Sequence, residues 1–405
     1  MPVQKVVVIN DASQARGGAT GLALLSVRLL RERGVPVVYV CGDDGENDEL
    51  ARLGVEVHAL GGERLLSQSA ARAFRRGLYN DATEGLIAQV LRKHDSAGTV
   101  YHLHGWAQVF SPAVFEALRP VARRTWVHAH DMFLACPNGV YMDYRHDTVC
   151  QRVPLSFACV TRNCDKRSYP HKLWRLARQR NVQRLFARQE GWAGIVPILP
   201  AMIPRLSRAG YEPEMFHTVR NPARPFTDQR VCVEENTGFV YVGRLEADKG
   251  VARLAEAAVR CGAHVTFVGE GPLAETLVSQ GFEVTGWLTR EEIGQRIEGH
   301  RALVMPSLHP EPFALVLVEA LGSGVPVLTA QSALMAEEIC GLGVGYQFDV
   351  HDIDSMCSAL TTFDELSDDA LRGMSERAFD VWHQLAHTQQ SWIDELMELY
   401  ESVAR

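Results

Sequence analysis

The chain has 405 residues, 46% hydrophobic and 22% charged, which excludes a disordered polymer and exceeds what one ordinary core holds, so two domains are expected. No run of about 18 apolar residues is present, which excludes a membrane-spanning helix, and MPVQKVVVIN is too short and strand-like for a signal peptide, so a cytoplasmic protein is expected. The net charge of −8 is unevenly divided, with 29 Lys+Arg against 20 Asp+Glu in residues 1–220 and 12 against 29 in residues 221–405. Halves of opposite sign suit two domains with different partners, or two ordinary solvated surfaces that have drifted apart in composition.

In chain order, KVVVIN (5–10) reads as a buried strand, and Gly17, Gly18 and Gly21 lead into an amphipathic helix, ALLSVRLLRERG. PVVYVCG (36–42), VEVHAL (55–60), TVYHLHG (99–105) and RTWVHAHD (124–131) continue as strands alternating with helices. That alternation predicts an open parallel sheet with helices on both faces. The pattern restarts at GFVYVGRL (238–245), with VARLAEAAVRCG as its helix. HVTFVGEG (264–271), EVTGW (283–287), ALVMPS (302–307), VPVLTA (325–330) and VGYQF (344–348) follow as strands. NPARPFTDQRVCVEEN, polar and proline-containing, reads as the join near 220–237. The expected architecture is therefore α/β, with two Rossmann-like doubly wound domains, 1–222 and 223–385. A C-terminal helix over 386–405 would pack back on the first domain. Ligands of such sheets bind at the carboxyl ends of the strands, and a cleft between two such domains is a preferred small-molecule site.

Several segments at those strand ends carry chemistry. GRLEADKG (243–250) puts Arg244 and Lys249 in a loop that opens a helix, which suits a diphosphate or, more plainly, two surface cations. GEGPL (269–273) places Gly269 and Gly271 where a ligand can approach the backbone closely. HPEPFALVLVEALGSGVPVL (309–328) sets Glu311 and Glu319 eight positions apart in an apolar run. Along a helix that spacing is about 12 Å on roughly one side, with Pro312 in the first turn. Two acids so placed can grip both ends of one elongated ligand, such as a nucleotide-sugar, across the positive end of the helix. They also fit a first-turn acid followed by one buried, paired acid.

Together GRLEADKG, VGEGPL, the Pro-Ser-Leu-His-Pro-Glu-Pro-Phe lead-in and the Glu-x7-Glu spacing resemble the retaining glycosyltransferases of GT-B fold, family 4. RGGAT, HLHGW and HAHDMFLACPNG resemble segments of that family's first domain, so the resemblance covers essentially the whole chain. It implies that Glu311 binds donor-sugar hydroxyls near the reacting carbon and that Glu319 holds the ribose. Phe313 and Ala314 would offer backbone N–H groups, and Arg244 and Lys249 would neutralise the diphosphate as charge develops. His130 would reach the donor from the first domain, Gly17 and Gly18 would admit phosphate or acceptor, and the base would lie near Gly286–Leu288. The donor would be a UDP- or GDP-sugar and the acceptor a saccharide or lipid-linked saccharide. Transfer would retain the anomeric configuration through an oxocarbenium-like transition state, the leaving diphosphate helping to deprotonate the acceptor. No divalent metal would be needed, and the Asp43-Asp44 pair reads as a solvated turn. Two departures stand out: Ala314 where the family usually has Gly, and Arg-Asn-Pro-Ala (220–223) where Asn-Gly often occurs.

Four of the nine cysteines, Cys136, Cys150, Cys159 and Cys164, cluster in an irregular insertion over about 132–170. They can hold structural zinc, remain free thiols or pair as disulfides. HKLWRLARQRNVQRLFARQ (171–189) carries Lys172, Arg175, Arg178, Arg180, Arg184 and Arg188 among apolar residues at helical spacing. With Arg72, Arg75 and Arg76 it suits peripheral contact with an anionic membrane at the inner face, or a surface helix whose apolar stripe is core. No nucleic-acid recognition motif occurs, and the chain is acidic overall. Beside a glycosyltransferase, a nucleotide-sugar epimerase-like enzyme and a nucleotide-sugar-binding regulatory module remain as readings. A phosphorylase would need a second lysine in residues 221–405, which contain only Lys249.

Overall fold

The structure, a computed structural model, describes residues 3–15, 17–187 and 191–404. It divides into two compact units. The first takes in the chain up to Arg145, then Cys150–Val219, and the chain from Gln389; the second takes in His146–Val149 and Arg220–Thr388.

The first unit contains a six-stranded parallel sheet of β1 (Lys5–Asn10), β2 (Val37–Cys41), β3 (Glu56–Ala59), β4 (Thr99–Leu103), β5 (Thr125–Ala129) and β6 (Gly194–Pro197), in the order β3-β2-β1-β4-β5-β6. β1, β2, β4 and β5 are β-branched or aromatic and almost wholly buried, as strands covered on both faces must be. β3 lies at the sheet edge, with Glu56 and Ala59 exposed and Val57 and His58 half-buried, so it is not a buried strand. β6 escapes sequence reading because Gly-Ile-Val-Pro is short and begins and ends on strand-poor residues. Gly194 is required there: at φ 158°, an added Cβ would meet the Trp126 ring at 2.6 Å.

Helix α1 (Gly18–Glu32) buries Leu22, Ala23, Val27 and Leu30 against this sheet. Beside it lies α5 (Gln389–Val403), whose Trp392, Ile393, Leu396 and Tyr400 are fully buried in the same core. Arg33 on the turn after α1 reaches Asp394 of α5 at 2.5 Å. Helix α2 (Tyr169–Val182) begins after Ser168 and passes into one π turn at Gln183–Ala187.

The second unit repeats the topology with β7 (Phe239–Val242), β8 (Val265–Val268), β9 (Glu283–Val284), β10 (Ala302–Met305), β11 (Val327–Ala330) and β12 (Gly345–Phe348), in the order β9-β8-β7-β10-β11-β12. All pairings are parallel. α3 (Val251–Cys261) follows β7, and α4 (Leu315–Gly322) follows β10. Both sheets thus change winding direction between their first and fourth strands, the position at which doubly wound sheets bind ligands. Most strands end one to three residues before the apolar run does, because Gly243–Leu245, Gly269–Gly271, His104 and His130 leave the ladder to form strand-end loops.

Candidate functional site

In the second unit the loops after β7 and β10 meet at the carboxyl edge of the sheet. Leu308 N–H donates to the Asp248 carbonyl at 3.1 Å, fastening one loop to the other. Gly250, at φ 72°, caps the turn Ala247–Lys249, and a Cβ there would meet the Pro306 carbonyl oxygen at 1.8 Å. This close approach directs Lys249 at Glu311, with which it forms an ion pair. The same carboxylate oxygen accepts from Ser307 Oγ at 2.9 Å and lies 3.2 Å from His309 Nε2. Burial alone would push the Glu311 carboxyl up, but the His309 hydrogen bond and the Lys249 charge reverse this and hold it well below the carboxylate range. Glu311 is therefore ionised at neutral pH with its partners already in place.

Helix α4 starts at Leu315, with Ala314 as its cap residue, so Glu311, Pro312 and Phe313 belong to the preceding loop. This corrects the expectation of a helix from Pro312 and of an eight-residue helical spacing between the acids. Pro310 and Pro312, on either side of Glu311, favour extended backbone and delay the helix. Ala314 has φ −93°, an extended conformation open to any residue, so its replacement of glycine imposes no backbone strain.

Glu319, the fifth residue of α4, is paired with Arg290 at 2.6 Å. Burial raises its pKa and the Arg290 charge opposes that rise. Arg290 also donates to the Arg224 and Pro225 carbonyls and lies 4.7 Å over the Phe226 ring. Sequence reading missed Arg290, whose only signal is its place between a Thr289 cap and Glu292 at the start of a short helix.

Arg244 extends into solvent at 65% exposure and pairs with Glu246 at 2.7 Å. Gly269 and Gly271 lie in the loop after β8, where an added Cβ would meet the Gly243 carbonyl oxygen at 1.9 Å and the Leu245 carbonyl oxygen at 2.4 Å. Their glycine requirement therefore comes from the neighbouring Gly243–Leu245 loop. Leu288 is half-buried just after β9, beside the exposed Trp287.

In the first unit, Gly17 caps α1 and Gly18 opens it; a Cβ on either would meet nothing within 4 Å. The space before this helix belongs to a cavity of about 220 Å³ lined by Ala19, Thr20, His104, His128, His130 and Asp131, among others. His130 Nε2 contacts His104 Nδ1 at 3.0 Å, and its ring stacks on His128 with centroids 4.2 Å apart. Burial pushes the His130 imidazole down to about 3, so it is neutral at pH 7. Burial likewise raises Asp131 to about 6, against the Phe133 N–H and the Arg178 charge that favour the ionised form. Asp11, on the other side of the cavity, accepts the N–H groups of Gln108, Val109 and Phe110 at 2.6–3.0 Å. Among the predicted residues, sequence reading singled out His130 but not Asp11 or Asp131.

The basic stretch is divided, with Arg180 and Arg184 exposed and other cations turned inward. Lys172 and Arg178 are buried, Arg178 donating to the Ala107 carbonyl at 2.6 Å and covering the Trp106 ring. Arg175 pairs with the buried Asp165 at 2.9 Å, while Arg188 lies outside the described residues. Lys172, Arg175 and Arg178 of the expected cationic face over 171–189 thus have internal partners; charge and spacing alone do not reveal whether a cation has a buried mate. Exposed apolar groups instead occur at Leu66, Phe74 and Leu173, near exposed Arg72 and Arg75.

Cys136, Cys150, Cys159 and Cys164 are all buried, and none is joined in a disulfide in this structure. The Lys172 ammonium lies 3.5 Å from Cys159 Sγ and 3.2 Å from Cys164 Sγ. Among the described residues, the groups with three ligand atoms within 4.8 Å of one another are His102/His104/His128 and Glu56/His58/His94, so the four thiols are gathered but not closed into a metal cage.

Comparison with known proteins agrees with this geometry. Residues 227–379 match the sequence profile of the family "Glycosyl transferases group 1". TuaC of Bacillus subtilis, named for teichuronic acid biosynthesis as a glycosyltransferase, is 26% identical over 55% of this chain and 58% of its own. Glycogen synthase of Mycobacterium tuberculosis is 30% identical over 30% of this chain and 32% of its own. The matched segments thus span little more than half, or about a third, of these curated relatives. Among solved structures, HepE of Anabaena in complex with UDP aligns over 98% of this chain and 100% of its own, with a TM-score of 0.69 at 15% identity. Sucrose-phosphate synthase from Thermosynechococcus elongatus aligns over 99% of both chains, with a TM-score of 0.71 at 13% identity. The chain has the GT-B fold, and its residues 227–379 match the glycosyl transferases group 1 family.

Proposed function

We propose that the chain is a retaining glycosyltransferase. It would move a hexose-type sugar from a UDP- or GDP-sugar to a hydroxyl of a saccharide, in the assembly of a cell-surface polysaccharide or glycoconjugate. The observation that carries this reading is the Lys249–Glu311 pair, held where two strand-end loops meet at the edge of the second sheet. Glu311, ionised and fixed by Ser307 and His309, suits the hydroxyls of a donor sugar. Lys249 and Arg244 suit the diphosphate, whose charge grows as the glycosidic bond breaks. Those cations can meet that charge without a divalent metal. Glu319, oriented by Arg290, suits a ribose. Phe313 and Ala314, in the extended segment before α4, suit N–H contacts to sugar and phosphate, with Gly286–Leu288 near the base.

From the first unit, neutral His130 can donate to or accept from the donor sugar, and Gly17 and Gly18 leave room for phosphate or acceptor. A lipid-linked acceptor at an anionic membrane face is supported by the exposed Leu66, Phe74 and Leu173 beside Arg72 and Arg75. The cysteine cluster is proposed as a structural zinc site because Cys136, Cys150, Cys159 and Cys164 are four buried cysteines in one insertion, and cysteine sulfur is a zinc ligand.

The test is transfer from labelled UDP-, GDP- and ADP-sugars by wild type and Glu311→Ala, following nucleoside diphosphate release and the anomeric configuration of the product. Unchanged transfer by Glu311→Ala would sink the catalytic reading. An inverted product would sink retention.

A further inference from the structure

We propose that His102, His104 and His128 form a binding site for one divalent transition-metal ion of the zinc class inside the first unit. The three residues come from the carboxyl ends of adjacent strands. Leu103 pairs with Val127, so the chain continues directly to His104 and His128, whose rings stack with centroids 4.9 Å apart. All three side chains are buried, and a ring nitrogen of each lies within 4.8 Å of the other two.

The distances suit coordination. His128 Nδ1 and His102 Nε2 are 3.1 Å apart. Two nitrogens on a tetrahedral ion with bonds of about 2.0–2.1 Å lie roughly 3.3 Å from each other, so this pair already has the required bite. His104 Nε2 is buried without a hydrogen-bond partner and is the third donor. The outer nitrogens also have partners of the kind that metal-bound imidazoles use. His102 Nδ1 faces the Tyr400 hydroxyl at 2.5 Å, and His104 Nδ1 faces His130 Nε2 at 3.0 Å. The cavity of about 220 Å³ bordered by His104, His128 and His130 leaves room for a water as fourth ligand.

A ladder of imidazole hydrogen bonds is the competing account. It explains the 3.1 and 3.0 Å contacts but leaves His104 Nε2 and His128 Nε2 buried and unpaired. Coordination gives one of these two atoms a partner and turns the closest nitrogen pair into co-ligands. Three neutral imidazoles select borderline ions such as zinc or cobalt over magnesium or calcium. The site is distinct from the Lys249 and Glu311 residues of the second unit, and it does not depend on the donor-sugar reading.

The experiment strips the full-length chain with chelator and titrates it with Co(II). One equivalent beyond any taken up by the cysteine cluster should bind, with d–d absorption that lacks thiolate charge transfer. That signal should disappear in His128→Gln and persist in Cys159→Ser. Tyr400→Phe keeps all three imidazoles but loses the outer partner, and should weaken binding about 10–100-fold. Absorption confined to thiolate charge transfer and abolished by Cys159→Ser would overturn the site, as would no uptake at all. Should His128→Gln fail to fold, the Tyr400→Phe titration decides: an affinity equal to that of the parent chain overturns the proposal.

Discussion

Lys249 and Glu311, 62 positions apart in sequence, form an ion pair because Gly250 lets their two loops close on each other. Removing one partner of a buried pair costs about 3–5 kcal/mol. With the two side chains 20% and 15% exposed, Lys249→Met should cost less, about 2–3 kcal/mol. Because Glu311 is held below its ordinary value of 4.5, its share of stability is fully present above that pH and is lost as pH falls through the lower folded value. Urea melts at pH 7 and pH 3 should therefore both show the Lys249→Met penalty, because the folded Glu311 carboxyl is still ionised at pH 3. Transfer activity should fall by about 100-fold or more, the scale for losing one charge-stabilising group.

Arg290→Ala should leave Glu319 buried without its cation and raise the carboxyl further. Loss of a hydrogen bond to a charged group costs about 1.5–3 kcal/mol. Calorimetry with UDP should show weaker binding, and kinetics should show KM for the donor rising more than kcat falls. Unchanged UDP affinity would separate Arg290 from the ligand grip.

Asp131 carries the opposite pH signature from Glu311. With its pKa raised from 3.8 to about 6, its contribution is complete below pH 3.8 and is lost as pH rises through 6. Asp131→Asn should remove about 1–3 kcal/mol of this pH dependence, read as a flatter melting curve between pH 4 and 7.

Ala314→Gly restores the residue common in the resembling family but gains no conformational freedom that the observed φ of −93° uses. A loss of about 0.4–1 kcal/mol is expected from the more flexible unfolded chain, with donor affinity unchanged. A marked gain in activity would show that the site visits a conformation closed to alanine.

Zinc content of the purified chain, compared between wild type, Cys159→Ser and Lys172→Met, tests the thiol cluster. Cys159→Ser should lower zinc by one equivalent per chain. Lys172→Met should strengthen retention under chelator challenge, because it removes a buried ammonium that occupies the Cys159 and Cys164 sulfurs and repels a bound cation. Metal-free wild type would leave the four cysteines as free thiols.

Much of this architecture is written in local pattern. Strands such as KVVVIN are apolar over their whole length because both sheet faces are covered, and their loops carry the glycines and cations that the second unit brings together. Other features depend on partners distant in sequence. Arg290 lies in an ordinary polar helix start, and its pairing with Glu319 follows only from folding. Lys172 and Arg178 look like solvated cations on a basic helix, yet they face thiols and an aromatic–carbonyl pocket. The four histidines of HLH and HAH alternate as strand residues do, but their mutual stacking requires β4 and β5 to be adjacent. The start of α4 is not legible in the sequence because prolines near a helix suit both its first turn and the extended chain ahead of it.

Helix α5 also has a consequence for how the protein is made. Its Trp392, Ile393, Leu396 and Tyr400 complete the core against α1, yet all of the second unit is synthesised between them. A growing chain therefore carries an open apolar groove along α1 while residues 220–388 emerge. The second unit, contiguous apart from four residues, can finish first. The first unit, although begun earlier, closes last, and its exposure to chaperones or to misassembly is set by the time needed to translate its neighbour.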